Sequence, residues 1–126
     1  GVDVKIMIPN KPDHMFVYWA TYFYVGEMLK AGAKIYIYEK GFIHSKSIVV
    51  DNEIASVGTA NIDVRSFRLN FEVNAFIYNR EFSNTLMDQL SEDMKYSTEL
   101  TLENYMKRPV KIRLKESVSR LLSPIL

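Results

Sequence analysis

The chain has 126 residues, enough for one domain and too few for two of ordinary size, and its 48% hydrophobic and 25% charged content calls for a globular core. A formal net charge of +1 makes no overall case for nucleic acid; the lack of cysteine excludes disulfides and thiolate metal sites, and two histidines are too few for a histidine-rich one. Charge is uneven, however: residues 107–126 carry Lys107, Arg108, Lys111, Arg113, Lys115 and Arg120 against the single acid Glu116, which leaves the remainder net acidic.

Val4-Lys5-Ile6-Met7-Ile8 alternates and predicts a strand. Pro9 to Asp13 ends it, with Asp13 a candidate N-cap and His14 an ordinary loop histidine. Met15 to Ala31 reads as a helix stopped by Gly32. Its first part is rich in aromatics: Phe16, Tyr18, Trp19, Tyr22, Phe23 and Tyr24. Two readings, not exclusive of each other, fit them: one face packs on the sheet with the tyrosines lining its edge, and they form an acyl-chain groove or membrane-contacting wall. Ala33 to Glu39 is a second strand, and Lys40-Gly41-Phe42 connects it to a strand bearing His44.

Asp51-Asn52 is a tight turn into Glu53 to Val57, so these two strands form a hairpin. Gly58 to Asn70 is a loop with room for a helical turn, and Phe71 to Tyr78 a further strand. From Glu81 to about Ser97 an amphipathic helix places Phe82, Leu86, Leu90 and Met94 on one core-facing side. Thr101 to Leu126 reads as two helical pieces split near Pro109. The second, Val110 to Leu122, has Ile112, Leu114, Val118, Leu121 and Leu122 as apolar positions with Lys and Arg between them. It is read either as a helix packed on the domain with a solvated basic face, or as an interfacial helix near anionic lipid headgroups. The fold class is α/β, a mixed sheet flanked by helices. Residues 1–106 form the body with its one chemical motif, and 107–126 form a basic amphipathic tail of the same domain. No signal peptide and no apolar run of about 18 residues appears. The chain opens on Gly1-Val2-Asp3 and enters a strand almost at once, as a piece of a longer protein would.

The chemistry concentrates between His44 and Glu72. His44, Lys46 and Asp51 make the spacing HxKxxxxD, followed by Gly58-Thr59-Ala60-Asn61 and by Asn70-Phe71-Glu72. A neutral imidazole attacks phosphorus without first losing a proton to a base, and a lysine offers a point charge to phosphate oxygens. On a strand, residues two apart face the same side, which would send His44 and Lys46 into one pocket. Asp51 is an odd number of residues from both, and is expected to serve the turn or fix a neighbour by hydrogen bonds.

This pattern resembles the HKD signature of the phospholipase D superfamily. The longer stretches IMIPNKPDH (6–14), VYWATYFYVGEMLKAG (17–32), YEKGFIHSKSIVVD (38–51), SVGTANIDVRSFRLNFEVNAFIY (56–78) and KESVSRLLSPIL (115–126) are similar to the C-terminal half of bacterial cardiolipin synthases. The resemblance implies a phospholipase D-like half-domain of an enzyme that condenses two phosphatidylglycerol molecules into cardiolipin and glycerol. It implies a phosphohistidine intermediate, no metal and no other cofactor. By the same resemblance His44, Lys46 and Asp51 are the catalytic set, while Asn61 and Thr59 shape the phosphate corner. Glu72 orients an HKD histidine. Ser66 and Asn70, like Arg65, fit loop hydrogen bonding and substrate contact equally. Family members join two HKD halves, and this chain has one motif. It therefore needs the N-terminal half or a second copy of itself, and whether His44 is nucleophile or general acid stays open. The implied partners are phosphatidylglycerol, cardiolipin and an anionic membrane surface, with no nucleic acid. The implied location is the bacterial cell membrane, reached through N-terminal segments outside this chain. Two other readings stand beside it: a single-HKD homodimeric phosphodiesterase or nuclease, and a catalytically silent membrane-binding module.

Overall fold

The computed structural model describes residues 1–11 and 15–122, so the readings of Asp13 as a cap and His14 as a loop residue lie outside the described residues. In chain order the elements are β1 (Lys5–Pro9), α1 (Met15–Lys30), β2 (Lys34–Tyr38), β3 (Lys46–Val50), β4 (Ile54–Gly58), α2 (Val64–Arg68), β5 (Asn74–Tyr78), α3 (Arg80–Lys95), β6 (Ser97–Leu100), α4 (Leu102–Met106) and α5 (Val110–Leu122). The α/β class is borne out. The strands are shared between two three-stranded sheets: β1-β2-β6, which is mixed, and β3-β4-β5, which is antiparallel. They belong to two compact units, residues 1–42 with 97–126 and residues 43–96.

In the first unit, α1 is the crossover that lets β1 and β2 run parallel, with Ile6 beside Ile35 and Ile8 beside Ile37. The helix ends where glycine permits it. Gly32 has φ +93, its N–H bonds to the Leu29 carbonyl at 3.1 Å, and the Ala33 N–H reaches the Met28 carbonyl at 3.0 Å. The core is Tyr22, Val25, Ile35, Ile37 and Tyr105, with Ile6, Ile8, Tyr18, Leu29, Ala33 and Leu100 packed around it. Tyr105 comes from α4 and donates its hydroxyl proton to the Tyr22 carbonyl at 3.0 Å. Its ring lies where a Cβ on residue 26 would be, which explains glycine there. Of the aromatics of α1, Tyr22 is buried while Tyr24 is exposed.

β6 pairs antiparallel to β2, Tyr38 opposite Ser97 and Ile35 opposite Leu100. The sequence reading ran the preceding helix to Ser97; Tyr96 ends it instead, and Ser-Thr-Glu-Leu becomes a strand because the free edge of β2 accepts it. The break at Pro109 is as expected, and α5 packs along α1. Its orientation differs from a helix packed through its apolar side. Among the described side chains of α5, those buried in the unit are Glu116 (2% exposed) and Ser119 (1%), whereas Leu114 (65%) and Leu121 (77%) face solvent. Glu116 is held by the Arg108 guanidinium, whose Nη2 donates to Oε2 at 3.0 Å. That guanidinium also lies over the Tyr105 ring at 3.8 Å. On the α1 side, Lys115 sits over Trp19 at 5.1 Å.

The second unit is the β3-β4-β5 meander backed by α3, which packs against all three strands. Asn79 caps α3, its side-chain oxygen accepting from the Phe82 N–H at 2.9 Å. Ala55 and Ser83 are fully buried in this unit. The opposite sheet face presents Ile48, Val50, Phe76 and Tyr78 to solvent.

Candidate active site

Asp51 and Asn52 turn β3 into β4 with φ of 51 and 55, a left-handed pair closed by the Glu53 N–H on the Val50 carbonyl at 3.0 Å. Aspartate and asparagine are among the few non-glycine residues that adopt this conformation at low cost. Asp51 thus sits at one end of β3 and Lys46 at the other, on the order of 15 Å apart along an extended chain.

The Lys46 end of the sheet is where the other motif residues gather. Lys46, Gly58 and Asn74 form one cross-strand row, so their Cα substituents share a face. Gly58 has no alternative here: a Cβ would collide with the Val73 carbonyl and with Asn74. The space above it is taken by the Asn74 amide. That side chain donates to Ser56 Oγ at 3.1 Å and accepts from the Ala60 N–H at 3.1 Å. Asn74 was not among the candidate residues. The signal for it was present in the polar alternation Asn70, Glu72, Asn74, which puts all three on one side of an extended segment.

β3 begins at Lys46, so His44 lies in the irregular segment before it rather than on the strand. The register explains why. Continued two residues further, the ladder would set Ala60 opposite His44, and the Ala60 N–H is already committed to Asn74. In place of a ladder bond, Lys46 Nζ donates to the His44 carbonyl oxygen at 2.6 Å. His44 is exposed and Lys46 half-buried.

Between β4 and β5 the chain makes a closed excursion. At its base the Thr59 N–H donates to the Val73 carbonyl at 3.0 Å, and the Val73 N–H donates to Thr59 Oγ1 at 2.9 Å. The Thr59 hydroxyl also lies 3.5 Å from that carbonyl, at the outer limit of a hydrogen bond. Ser66 Oγ donates to Glu72 Oε1 at 2.9 Å and Asn70 Nδ2 to the same oxygen at 3.4 Å. The Thr59 hydroxyl, then Ser66, then Asn70 and the positive charge of Lys46 hold the Glu72 carboxyl below its ordinary range. Asp63 caps the short α2, accepting from the Ser66 N–H at 2.7 Å, and so fixes the residue that reaches Glu72. Asn61 is exposed at the start of the excursion. The same loop exposes Ile62, Phe67, Leu69, Phe71 and Val73, with Phe71 entirely in solvent.

The structure therefore gathers Ser66, Asn70 and Glu72 in one hydrogen-bonded cluster beside the Thr59–Val73 base of the excursion, and sets Lys46, with His44 tied to it through its carbonyl, at the same end of the sheet. It sets Asp51 apart at the far turn.

A family profile described as "Cardiolipin synthase, PLD-like domain" matches residues 1–95. The chain belongs to the phospholipase D-like cardiolipin synthase family. Over all 126 residues it is 68% identical to the major cardiolipin synthase ClsA of Bacillus subtilis. The corresponding identities are 61% to a cardiolipin synthase of Oceanobacillus iheyensis and 64% to one of Listeria monocytogenes. In each case the match takes in the whole chain and 26% of the relative's length. The chain thus spans about a quarter of the length of the curated relatives it matches. Among its described residues, no helix is long and apolar enough to cross a membrane.

Proposed function

We propose that this chain supplies one of the two HKD half-sites of a membrane-bound phosphatidyltransferase. That enzyme makes cardiolipin and glycerol from two molecules of phosphatidylglycerol. One histidine nitrogen attacks the phosphorus of the first phosphatidylglycerol; the P–O bond to the terminal glycerol breaks, and the departing oxygen takes a proton from the histidine of the other half. The terminal hydroxyl of a second phosphatidylglycerol then attacks the phosphohistidine. Its proton passes to that second histidine and the P–N bond breaks. His44 is one of these two histidines. Lys46 offsets the phosphate charge, and the Asn61 amide, positioned by Thr59, donates to the same phosphate. Glu72 orients an HKD histidine and favours its cationic form. Asp51 acts through the hairpin turn that presents the His44–Lys46 end of β3.

The observation that carries this reading is geometric: the Lys46–Gly58–Asn74 row and the paired Thr59–Val73 bonds set Lys46, from the first part of the motif, at the same end of the sheet as Thr59 and Glu72 from the second. The apolar side chains exposed on the neighbouring loop favour a phospholipid over a nucleic acid, since such a substrate joins an anionic head to apolar chains.

The test is a turnover assay on phosphatidylglycerol vesicles, following cardiolipin and glycerol. Three samples are compared: this chain alone, this chain with the upstream half, and that pair carrying His44→Ala. Only the intact pair is expected to be active, and His44→Ala to lower turnover by at least about 10³-fold. Activity from this chain alone would mean that two copies build a symmetric site. Undiminished activity in His44→Ala would remove His44 from the chemistry.

A further inference from the structure

At about 100° per residue, Val110, Leu114, Val118 and Leu121 fall within a sector of α5 roughly 80° wide. All four are exposed. The buried Glu116 and Ser119 lie on nearly the opposite side, where the helix meets α1. Lys111 and Lys115 flank the apolar stripe on one side and Arg113 on the other, and all three are exposed. Glu116, the single acid between residues 107 and 122, is turned inward and neutralised by Arg108. The outward half of α5 is therefore an apolar stripe bordered on both sides by positive charge alone.

We propose that α5 is an in-plane docking helix for an anionic phospholipid surface, its apolar stripe sunk to the acyl boundary and Lys111 and Arg113 at headgroup level. The charge pattern selects this occupant. A seam between protein helices carries both signs at its borders, because those borders select the partner. A border of one sign fits a surface that is uniformly negative. With 13 residues the helix is about 20 Å long, sufficient to lie along the interface and too short to cross it. Rigid attachment to α1 adds direction. The Arg108–Glu116 pair and the Lys115–Trp19 contact hold the inner face, so the first unit meets the lipid with one defined side. The choice of phosphatidylglycerol as the anionic lipid rests on the function proposed above.

Flotation of the 126-residue chain with vesicles tests this. One set is an equimolar mixture of phosphatidylglycerol and phosphatidylcholine, the other phosphatidylcholine alone. At about 0.1 M salt the chain is expected to bind the anionic vesicles at least about ten-fold more tightly. That preference should fall away near 1 M, where the screening length drops to about 3 Å. Leu114→Ser with Val118→Ser and Leu121→Ser should lower binding by about 100-fold or more. Lys111→Ala with Arg113→Ala should lower it by about 25-fold on anionic vesicles only, about five-fold per charge. The charge variant keeps the test decisive even where the triple variant folds poorly. Unchanged vesicle binding in either variant overturns the proposal. So does a triple variant that loses self-association in sedimentation velocity while still floating, since the stripe would then be a seam between copies. Flotation registers no chemistry, so failure of the docking helix and failure of the proposed reaction are read separately.

Discussion

At the scale of single residues, Glu72 shows what the motif spacing does and does not convey. The N-x-E pattern marks it as important, yet its environment comes from residues 6 and 13 positions away that only folding brings near. The Thr59 hydroxyl, Ser66 and Asn70 stabilise the ionised form, as does the charge of Lys46, so the folded carboxyl binds its proton more weakly than the unfolded one. The stability this gives is present in full above the ordinary value of 4.5 and is lost as pH falls through the lower folded value. Glu72→Gln removes the charge and keeps the shape. We expect the wild-type chain to melt above Glu72→Gln at neutral pH, with the gap closing as the pH drops below 4.5. A gap of constant size down to acid pH would show that the cluster does not depend on the carboxylate charge. The motif made His44, Lys46, Gly58, Thr59 and Glu72 legible because their spacing is fixed in the chain. Asn74 was overlooked because its partners, Ser56 on β4 and the Ala60 N–H just past the end of that strand, are 18 and 14 residues away in the sequence.

At the scale of elements, most boundaries were legible, because hydrophobic period, caps and glycine stops are local. Two features depended on distant partners. β6 is short and polar, and is a strand only because β2 offers an edge. For α5, the period identified a helix and an apolar stripe, and an apolar stripe is ordinarily read as core-facing. What decides the inner face is the Arg108–Glu116 pair. The two side chains are 16% and 3% exposed, and Arg108 Nε also donates to the Tyr105 carbonyl at 3.0 Å. Breaking such a pair from one side strands a charge in a poorly solvated place, whereas removing both charges together does not. Glu116→Ala is therefore expected to cost about 3–5 kcal/mol in equilibrium urea unfolding. Arg108→Met combined with Glu116→Leu should cost less than Glu116→Ala alone. A single-variant cost below about 1 kcal/mol, the range of exposed pairs, would mean that water reaches the pair and that something else orients α5.

At the scale of the whole molecule, residues 43–96 form a compact unit of their own, interposed in the sequence between β2 and β6. The outer unit is closed without them: β2 and β6 are neighbours in one sheet, and Tyr38 and Ser97 face each other across that pair. Among the described residues its core cluster draws on α1, β2 and α4, with Ile6, Ile8 and Leu100 around it. Replacing residues 39–96 by a two-residue Asn-Gly turn would convert the pair into an ordinary antiparallel hairpin, because that turn matches the twist of the flanking strands. Such a chain is expected to fold on its own, with a dispersed amide spectrum, a cooperative thermal transition and α5 still seated on α1. It keeps the lipid-docking face and loses every motif residue from His44 to Glu72, so it should float with anionic vesicles and catalyse nothing. A collapsed, non-cooperative product would show that the outer unit depends on the inner one for its fold, and docking and chemistry would then have to be treated as properties of one indivisible body. Cooperative folding with vesicle binding intact would locate membrane attachment and phosphate chemistry on separable parts of the chain.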